Sequence, residues 1–410
     1  MTNNLNRFIA LSSFIGYSMF LISCSSKKNI DIEYDGHIYI KTTLNDSVTG
    51  NFVYDTGAPE MIIDNSFKNK NKLVFIKEED TRMNGIGNET KNVKVISDTI
   101  NYKIDGRISK SKKKFLIKIK NILKKKSYKK KKKKSKKTFI IDLKSILGQK
   151  ADGILGFKTF ENRAHKIDYI NKKIFFTKSH KNYEVLKMIL KDDKLYIPIN
   201  YIVEKKEYNG NFILDLGSSV TILNSSNKIK IDYGSEFEAI GGVGGKTKGR
   251  TIFIDELKFG NLSIYKYPVD ISSDKNGALS KNNYDGILGN DILDDFDIII
   301  DLNEKILYLK PNIKNNKHKQ YFYKSFSYVN RTNIDRSWLV SYIFINTDAY
   351  KKGLRLNDKI ISINGTSVEQ INHLEFYKNL KINQELELTI NRDGKTFNIN
   401  FVLDKFLDGN

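Results

Sequence analysis

Two stretches of the chain each place one aspartate between apolar runs. Residues 50–63 contain Asp55-Thr56-Gly57, and residues 210–223 contain Asp215-Leu216-Gly217. The apolar runs predict buried strands, and a glycine two residues after the aspartate permits a tight turn that presents a carboxylate. Two carboxylates about 3 Å apart cannot both ionise, so they share one proton and can act together as general acid and general base.

The two stretches belong to an internal duplication. Positions around the two aspartates match at a spacing of 160 residues, and Ile86-Gly87 matches Val243-Gly244 at a spacing of 157. Further on, the segment 152–156, Asp-Gly-Ile-Leu-Gly, recurs at 285–289, a spacing of 133. The matches keep the same order along the chain. The chain therefore contains two copies of about 130 to 150 residues, and each copy supplies one aspartate in the same setting.

This arrangement resembles the two lobes of an aspartic protease, and is most similar to bacterial retropepsin-like aspartic proteases with two fused lobes. The resemblance covers about residues 30–312. Each copy carries an apolar-apolar-Asp-x-Gly turn, then a glycine hairpin, then an apolar-apolar-Gly segment. The resemblance implies a mainly β fold with duplicated two-lobe acid-protease architecture. It also implies an aspartic-type endopeptidase, a hydrolase that needs no cofactor and no metal.

The resemblance also implies roles for individual residues. Asp55 and Asp215 would form the catalytic dyad that activates a water molecule. The residues expected to support the carboxylates are Thr56, Gly57, Ala58, Gly217 and Ser218. The residues expected to form a flap over an extended peptide are Gly241, Gly242, Val243, Gly244 and Gly245. A second flap, or a vestige of one, is expected at Met83 to Asn88, with Gly85 and Gly87 at its tip.

Leu216 departs from the active-site pattern, because the family has Thr or Ser at this position. This departure favours an alternative function, a non-catalytic peptide-binding envelope lipoprotein that keeps the protease fold. Both aspartates are intact in their full context, which favours the enzyme.

The amino-terminal 23 residues resemble a lipoprotein signal peptide. Arg7 precedes an apolar run from Phe8 to Ile22, which is short for a membrane span and leads into Cys24. Cys24 is the only cysteine, so no intramolecular disulfide is possible. The resemblance implies a lipid anchor on Cys24 and a location in the bacterial cell envelope, at the outer membrane or facing the periplasm. The alternative is a short anchor that is never cleaved.

A lysine-rich insertion at about residues 109–137 interrupts the first copy. The window 110–137 holds 17 lysines and no acidic residue, and without it the formal charge of +23 would be +6. We expect a solvated projection attracted to an anionic surface of lipid or polysaccharide. The window has two aromatic residues and no arginine, so we expect no specific nucleic-acid binding.

Metal chemistry has little support in the sequence. The five histidines are scattered. The acidic cluster 290–297 lacks the glycine and the terminal glutamate of a calcium loop, so capping and surface roles are expected there.

The last part of the chain, residues 325–405, resembles a PDZ domain. After a linker at 310–319, the segment from Asp348 to Gly365 resembles the core signature of bacterial PDZ domains, and residues 392–395, Arg-Asp-Gly-Lys, predict a hairpin turn. Asn357 stands where the family usually has Gly, and Asn tolerates the left-handed conformation. The resemblance implies a small α+β domain that binds a peptide strand and its C-terminus. The alternative is a generic small α+β domain.

The predicted organisation has four parts. They are a lipoprotein signal peptide at 1–23, an N-terminal protease lobe at 24–181 with the lysine-rich insertion, a C-terminal protease lobe at 182–312, and a PDZ-like domain at 325–405.

Overall fold

The computed structural model describes residues 29–404, except for residues 88, 99, 105–106, 109–136, 162, 178–179, 226–228 and 313–324. The predicted signal peptide, Cys24 and nearly all of the lysine-rich insertion lie outside the described residues. The described chain is mainly β, as the alternating and β-branched runs of the sequence predict. No helix within the described residues is long and apolar enough to cross a membrane.

The first lobe is built from twelve strands, two short α-helices and a 3₁₀ helix. Its strands are β1 (Ile30–Tyr34), β2 (Ile38–Leu44), β3 (Val48–Asp55), β4 (Ile62–Asp64), β5 (Glu78–Asn84), β6 (Thr90–Ile96), β7 (Tyr102–Ile104), β8 (Arg107–Ile108), β9 (Thr138–Ile141), β10 (Gly153–Gly156), β11 (His165–Asp168) and β12 (Lys173–Phe176). Its helices are α1 (Asn65–Lys70), α2 (Lys144–Leu147) and the 3₁₀ helix Phe157–Phe160.

The second lobe contains eleven strands among the described residues. They are β13 (Glu184–Lys187), β14 (Ile189–Lys191), β15 (Lys194–Val203), β16 (Lys206–Leu214), β17 (Ile222–Leu223), β18 (Ser235–Ile240), β19 (Lys246–Phe259), β20 (Leu262–Ser272), β21 (Gly286–Leu288), β22 (Phe296–Asp301) and β23 (Ile306–Pro311). Its helices are the 3₁₀ helices Gly242–Gly244 and Ala278–Ser280, followed by α3 (Asn290–Leu293). Lys310 and Pro311 belong to β23, so the predicted start of the linker was wrong by two residues.

The C-terminal unit, residues 325–404, combines six strands with three helices. The strands are β24 (Phe326–Arg331), β25 (Ser337–Phe344), β26 (Lys359–Ile363), β27 (Thr366–Ser367), β28 (Glu385–Arg392) and β29 (Lys395–Val402). The helices are α4 (Thr332–Asp335), α5 (Asp348–Lys351) and α6 (His373–Asn379).

The two lobes repeat the same strand pairings. In the first lobe, β3 runs parallel to β10, β10 is antiparallel to β4, and β4 is parallel to β9. In the second lobe, β16, β21, β17 and β20 pair in the same sequence of directions. The registers also match, since Phe52 faces Gly153 in one lobe and Phe212 faces Gly286 in the other. These offsets are the 160 and 133 residues found in the sequence.

Strands from both lobes meet in one sheet with the order β13-β23-β22-β11-β12-β1. At its centre, β11 and β22 are antiparallel, with His165 facing Ile300 and Ile167 facing Ile298. Adding 133 to one partner of each pair gives a residue of the other pair, so this register is its own image. A local twofold axis therefore passes between Lys166 and Ile299.

The two lobes share one apolar core. The buried cluster includes Phe52 and Leu155 from the first lobe and Phe212 and Leu288 from the second. These side chains come from the continuous apolar runs next to the two aspartates, which form strands buried on both faces. The C-terminal unit has its own core around Trp338. The lobes are thus fixed to each other, and the two aspartate turns lie at their junction.

Candidate active site

The two aspartates occupy equivalent ends of equivalent strands. Asp55 ends β3, and Asp215 directly follows β16. The start of each strand is braced in the same way by the first residue of the repeated Asp-Gly-Ile-Leu-Gly segment. The Asn51 amide donates to Asp152 Oδ2 at 2.9 Å, and the Asn211 amide donates to Asp285 Oδ2 at 2.8 Å. This brace fixes where each strand ends and therefore where each aspartate lies.

Each turn packs its glycine against the aspartate of the other turn. A Cβ atom on Gly57 would lie 2.5 Å from the carboxyl carbon of Asp215, and a Cβ atom on Gly217 would overlap the carboxyl group of Asp55 in the same way. Only glycine allows this approach. The carboxyl groups of Asp55 and Asp215 share a hydrogen bond. The fold thus brings together the two aspartates that the sequence singled out.

Backbone amides hold the two carboxyl groups. The Ala58 amide donates to Asp55 Oδ1 at 3.0 Å, and the Gly217 amide donates to Asp215 Oδ1 at 2.9 Å. Burial, and then the negative charge of Asp215, hold the pKa of Asp55 well above its usual range. The Ser218 hydroxyl turns away and donates to the carbonyl of Val220 at 2.7 Å. Ser218 therefore supports the turn that follows Asp215, and its hydroxyl bonds within that turn.

Thr56 holds the second turn from the first. Its hydroxyl donates to the Leu214 carbonyl at 2.7 Å and accepts from the Leu216 amide at 2.9 Å. Thr56 and Leu216 are both fully buried. Leu216 offers no hydroxyl in return and packs into the shared core. The connection between the turns is therefore made from one side.

Asn290 is a residue of the site that the sequence did not single out. Its Nδ2 donates to the Leu216 carbonyl at 2.7 Å and to the Gly36 carbonyl at 3.0 Å. Its Oδ1 accepts from the Tyr169 hydroxyl at 2.9 Å. The equivalent position in the first lobe, 133 residues earlier, is Phe157. Comparison of the two copies at this offset could have marked the polar residue.

A basic residue lies beside each turn. Lys194 donates to the Gly57 carbonyl, and its positive charge attracts Asp55. His37 is hydrogen-bonded to the backbone of Gly217. Burial lowers the pKa of His37, against the attraction of Asp35 and Asp215.

His37 and Lys194 occupy equivalent positions in the two lobes. Tyr39 faces Val53 and Tyr196 faces Ile213, two pairs that the duplication superimposes. The two basic residues each lie two positions before these tyrosines. The sequence held this signal at a spacing of 157, but one residue is His and the other Lys, so no identity revealed it.

Two glycine loops meet above the turns. Residues 85–89 join β5 to β6, and residues 241–245 join β18 to β19. The Glu89 amide donates to the Gly244 carbonyl at 2.7 Å. Val243 packs on the apolar cluster that includes Ala58, and Ile86 packs on the cluster that includes Ile213. Each loop therefore reaches the lobe opposite its own, in an arrangement that closes the space over the aspartates.

The acidic cluster at 290–297 is more buried than the sequence predicted. Asp294 is 3% exposed and accepts from the Tyr34 hydroxyl at 2.9 Å. Asp291 accepts from the Thr221 amide and hydroxyl, and burial raises its pKa to about 7. The expected surface role was wrong for these residues, because α3 turns them toward the lobe junction. Among the described residues, no group of His, Cys, Asp and Glu is arranged to hold a metal ion.

The C-terminal unit presents a strand and a helix side by side. The Tyr328 hydroxyl of β24 donates to the His373 carbonyl at the start of α6, at 2.8 Å. Among the described residues, β24 pairs with a strand, β25, on one side only. Asn357 has a φ of +74°, and the turn at Asp393-Gly394 has two positive φ values. Both features agree with the sequence prediction.

Residues 323–391 match the family model described as PDZ domain. The C-terminal unit is a PDZ domain. An exposed strand edge beside a helix is where domains of this kind add a peptide strand, so the domain supports binding of a peptide or protein partner. No curated protein matches the chain.

The PDZ domain packs directly on both lobes. The Gln149 amide of the first lobe donates to the Asn330 carbonyl at 3.1 Å, at the end of β24. In the second lobe, β18 pairs with β25 of the PDZ domain, which extends the sheet of that lobe. The sequence, with its linker at 310–319, gave no sign of these contacts.

Proposed function

We propose that this protein is an aspartic-type endopeptidase with the duplicated two-lobe acid-protease fold, and that Asp55 and Asp215 are its catalytic dyad. The observation that carries the proposal is the reciprocal packing of the two turns. Each glycine lies against the opposite carboxyl group, and the two carboxyl groups share a hydrogen bond. A structural role alone would not require two buried carboxylates in contact, because each ion raises the cost of the other.

The raised pKa of Asp55 assigns the shared proton to this side of the dyad. In the proposed reaction, Asp215 takes a proton from the attacking water while Asp55 donates its proton to the oxygen of the scissile carbonyl. The water oxygen bonds to the carbonyl carbon and gives a neutral tetrahedral diol. A proton then passes to the amide nitrogen, the C–N bond breaks, and the dyad returns to sharing one proton.

The glycine loops supply the proposed cover for the substrate. Their tips are joined by the bond from Glu89 to Gly244 and by a 3.3 Å bond from the Ala278 amide to the Gly85 carbonyl. An extended peptide would enter after these tips separate, and backbone groups of residues 241–245 would pair with it. The PDZ domain would bind a peptide C-terminus, either on a substrate or on an activating partner.

The test is incubation of the full-length protein, in mild detergent, with a peptide library from acid to neutral pH. Mass spectrometry identifies the cleaved bonds. The matched control is the Asp55→Asn/Asp215→Asn double variant with the same thermal unfolding temperature. Cleavage by the wild type and none by the control is expected. Equal cleavage in both would assign the activity to a contaminant and contradict the proposal.

A second candidate, a non-catalytic peptide-binding lipoprotein, is favoured by one observation. Leu216 removes the second of the two hydroxyl bridges between the turns. Peptide binding without cleavage at any pH, in wild type and in Leu216→Thr alike, is the outcome that would favour this candidate.

We further propose that Cys24 is lipidated and that the lysine-rich insertion contacts an anionic surface of the cell envelope. The position of Cys24 after the apolar run supports the first proposal, and 17 lysines without an acidic residue support the second. Metabolic labelling with a fatty-acid analogue should mark the wild type and leave Cys24→Ala unmarked. Equal labelling of both would contradict the lipid anchor.

A further inference from the structure

The loop at 241–245 is carried by a hairpin arm that lies between two partners. Strand β18 pairs along its whole length with β19 of the same hairpin. Its other edge pairs with β25 of the PDZ domain, where Phe237 faces Phe344 and Ala239 faces Tyr342. Residue 241 follows directly after β18. The PDZ domain therefore occupies the edge that would otherwise let this arm move away from the second lobe.

Tyr342 is the PDZ residue most firmly bound to the second lobe. Its hydroxyl donates to Asp270 at 3.1 Å and lies 3.1 Å from the Thr251 hydroxyl. Thr251 in turn donates to Asp270 at 2.5 Å. The ring of Tyr342 stacks on Phe237 with the ring centres 4.9 Å apart. Three strands of the second lobe, β18, β19 and β20, are thus held by one side chain.

The same apolar cluster reaches the active site. Tyr342 packs against a buried group that contains Phe237, Ile213 and Tyr284, and Ile86 from the other glycine loop packs against the same group. Ile213 lies two residues before Asp215. The cluster therefore connects the PDZ domain to both loops and to the strand that carries one catalytic aspartate.

One strand separates this arm from the exposed edge of the PDZ domain. Strand β25 pairs with β18 on one edge and with β24 on the other, where Ser327 faces Tyr342 and Phe326 faces Ile343. A peptide that adds to β24 would order the β24–β25 pair, and β25 can pass that order to β18 through the register at Tyr342.

We infer that the PDZ domain is a structural part of the flap and that Tyr342 is its positioning residue. Peptide binding at β24 stabilises the arm that carries residues 241–245, and with it the closed cover over the dyad. The catalytic consequence rests on the function proposed above. The mechanical connection between Tyr342 and the arm is independent of that function.

Hydrogen exchange of the full-length protein tests the mechanical connection without any activity. Tyr342→Phe keeps the stacking ring and removes the bonds to Asp270 and Thr251. Amides of residues 237–245 should exchange about five-fold faster in this variant, the factor that corresponds to one net hydrogen bond. The matched control is Tyr328→Phe, which removes a buried hydroxyl bond inside the PDZ domain. Unchanged exchange in Tyr342→Phe, or the same increase in both variants, would overturn the inference.

A second arm of the experiment adds a peptide probe. The probe is a pool of hexapeptides with free C-termini that end in each of the twenty amino acids. Protection of β24 in the wild type should be accompanied by protection of residues 237–245, and Tyr342→Phe should lose the second effect. Protection of β24 alone in the wild type would contradict the coupling. In a cleaving enzyme, Tyr342→Phe should raise KM several-fold with little change in kcat, and absence of cleavage would contradict only the proposed protease function.

Discussion

The two aspartate turns have the same backbone setting but are held in different ways. The first turn gives a hydroxyl, Thr56, that binds the backbone on both sides of Asp215. The second turn offers Leu216, which fills the core, and its carbonyl is bound by Asn290 from α3. The first turn therefore fixes the second, and the second is held additionally from its own lobe. A duplicated site can keep its geometry with one bridging hydroxyl when the other lobe supplies a replacement bond.

The largest effect among the supporting residues is expected at Thr56. Thr56→Val keeps the shape and leaves the buried Leu216 amide without its acceptor, which costs about 2 kcal/mol of folding free energy. Because the turn that carries Asp215 would shift, kcat should fall between about tenfold and 100-fold. Thermal unfolding and cleavage of one peptide measure both effects.

The matched control for this prediction is Thr49→Val on the same strand. The Thr49 hydroxyl bonds only the exposed Thr43 hydroxyl among the described residues. Equal losses in both variants would show that Thr56 has no special role between the turns.

The basic residues beside the turns sharpen the comparison through pH. The positive charge of Lys194 lowers the pKa of Asp55 against the larger effect of burial. Lys194→Met should therefore let Asp55 keep its proton to higher pH, and the alkaline limb of the pH–kcat profile should move up by about 1 unit. Lys191→Met is the control, since Lys191 is exposed on the neighbouring strand β14. A shift to lower pH would show that another group controls that limb.

Leu216→Thr tests whether the missing second hydroxyl limits the site. Replacing a fully buried leucine removes apolar contacts and should lower the folding free energy by about 1–2 kcal/mol. Cleavage should stay at the wild-type rate or rise, because a second bridge between the turns becomes possible. A tenfold fall in kcat would mean that the pocket depends on the leucine itself.

The smallest effect on the fold is expected from the lysine-rich insertion, which the second lobe lacks. Replacing residues 109–137 with a short Gly/Ser linker should leave thermal unfolding and cleavage unchanged. Binding to anionic vesicles should weaken, and the difference should vanish at high salt. Loss of cooperative unfolding would show that the insertion is structural.

The sequence predicted the parts of the fold that repeat. Because both copies keep the Asp-x-Gly turn and the Asp-Gly-Ile-Leu-Gly segment, their spacing marked Asp55 and Asp215 and the mainly β architecture. The PDZ domain was predicted from local turns, at Asn357 and at residues 392–395, whose conformations depend on few neighbours.

The contacts between units could not be predicted in this way. Asn290 reaches Leu216 across α3, and the two residues share no pattern that either copy repeats. The pairing of β18 with β25 depends on two strand edges that meet only after three units have folded. Periodicity reports which face of a strand is buried, but it does not identify the partner of an edge.

The most direct test of the central claim is a cycle of four proteins on one cleaved peptide: wild type, Asp55→Asn, Asp215→Asn and the double variant. If the two turns form one catalytic unit, each single variant should lose at least about 10³-fold in kcat, and the double variant should lose no more than either. All four should unfold cooperatively. Full activity in either single variant, or losses that add in the double variant, would contradict a shared dyad.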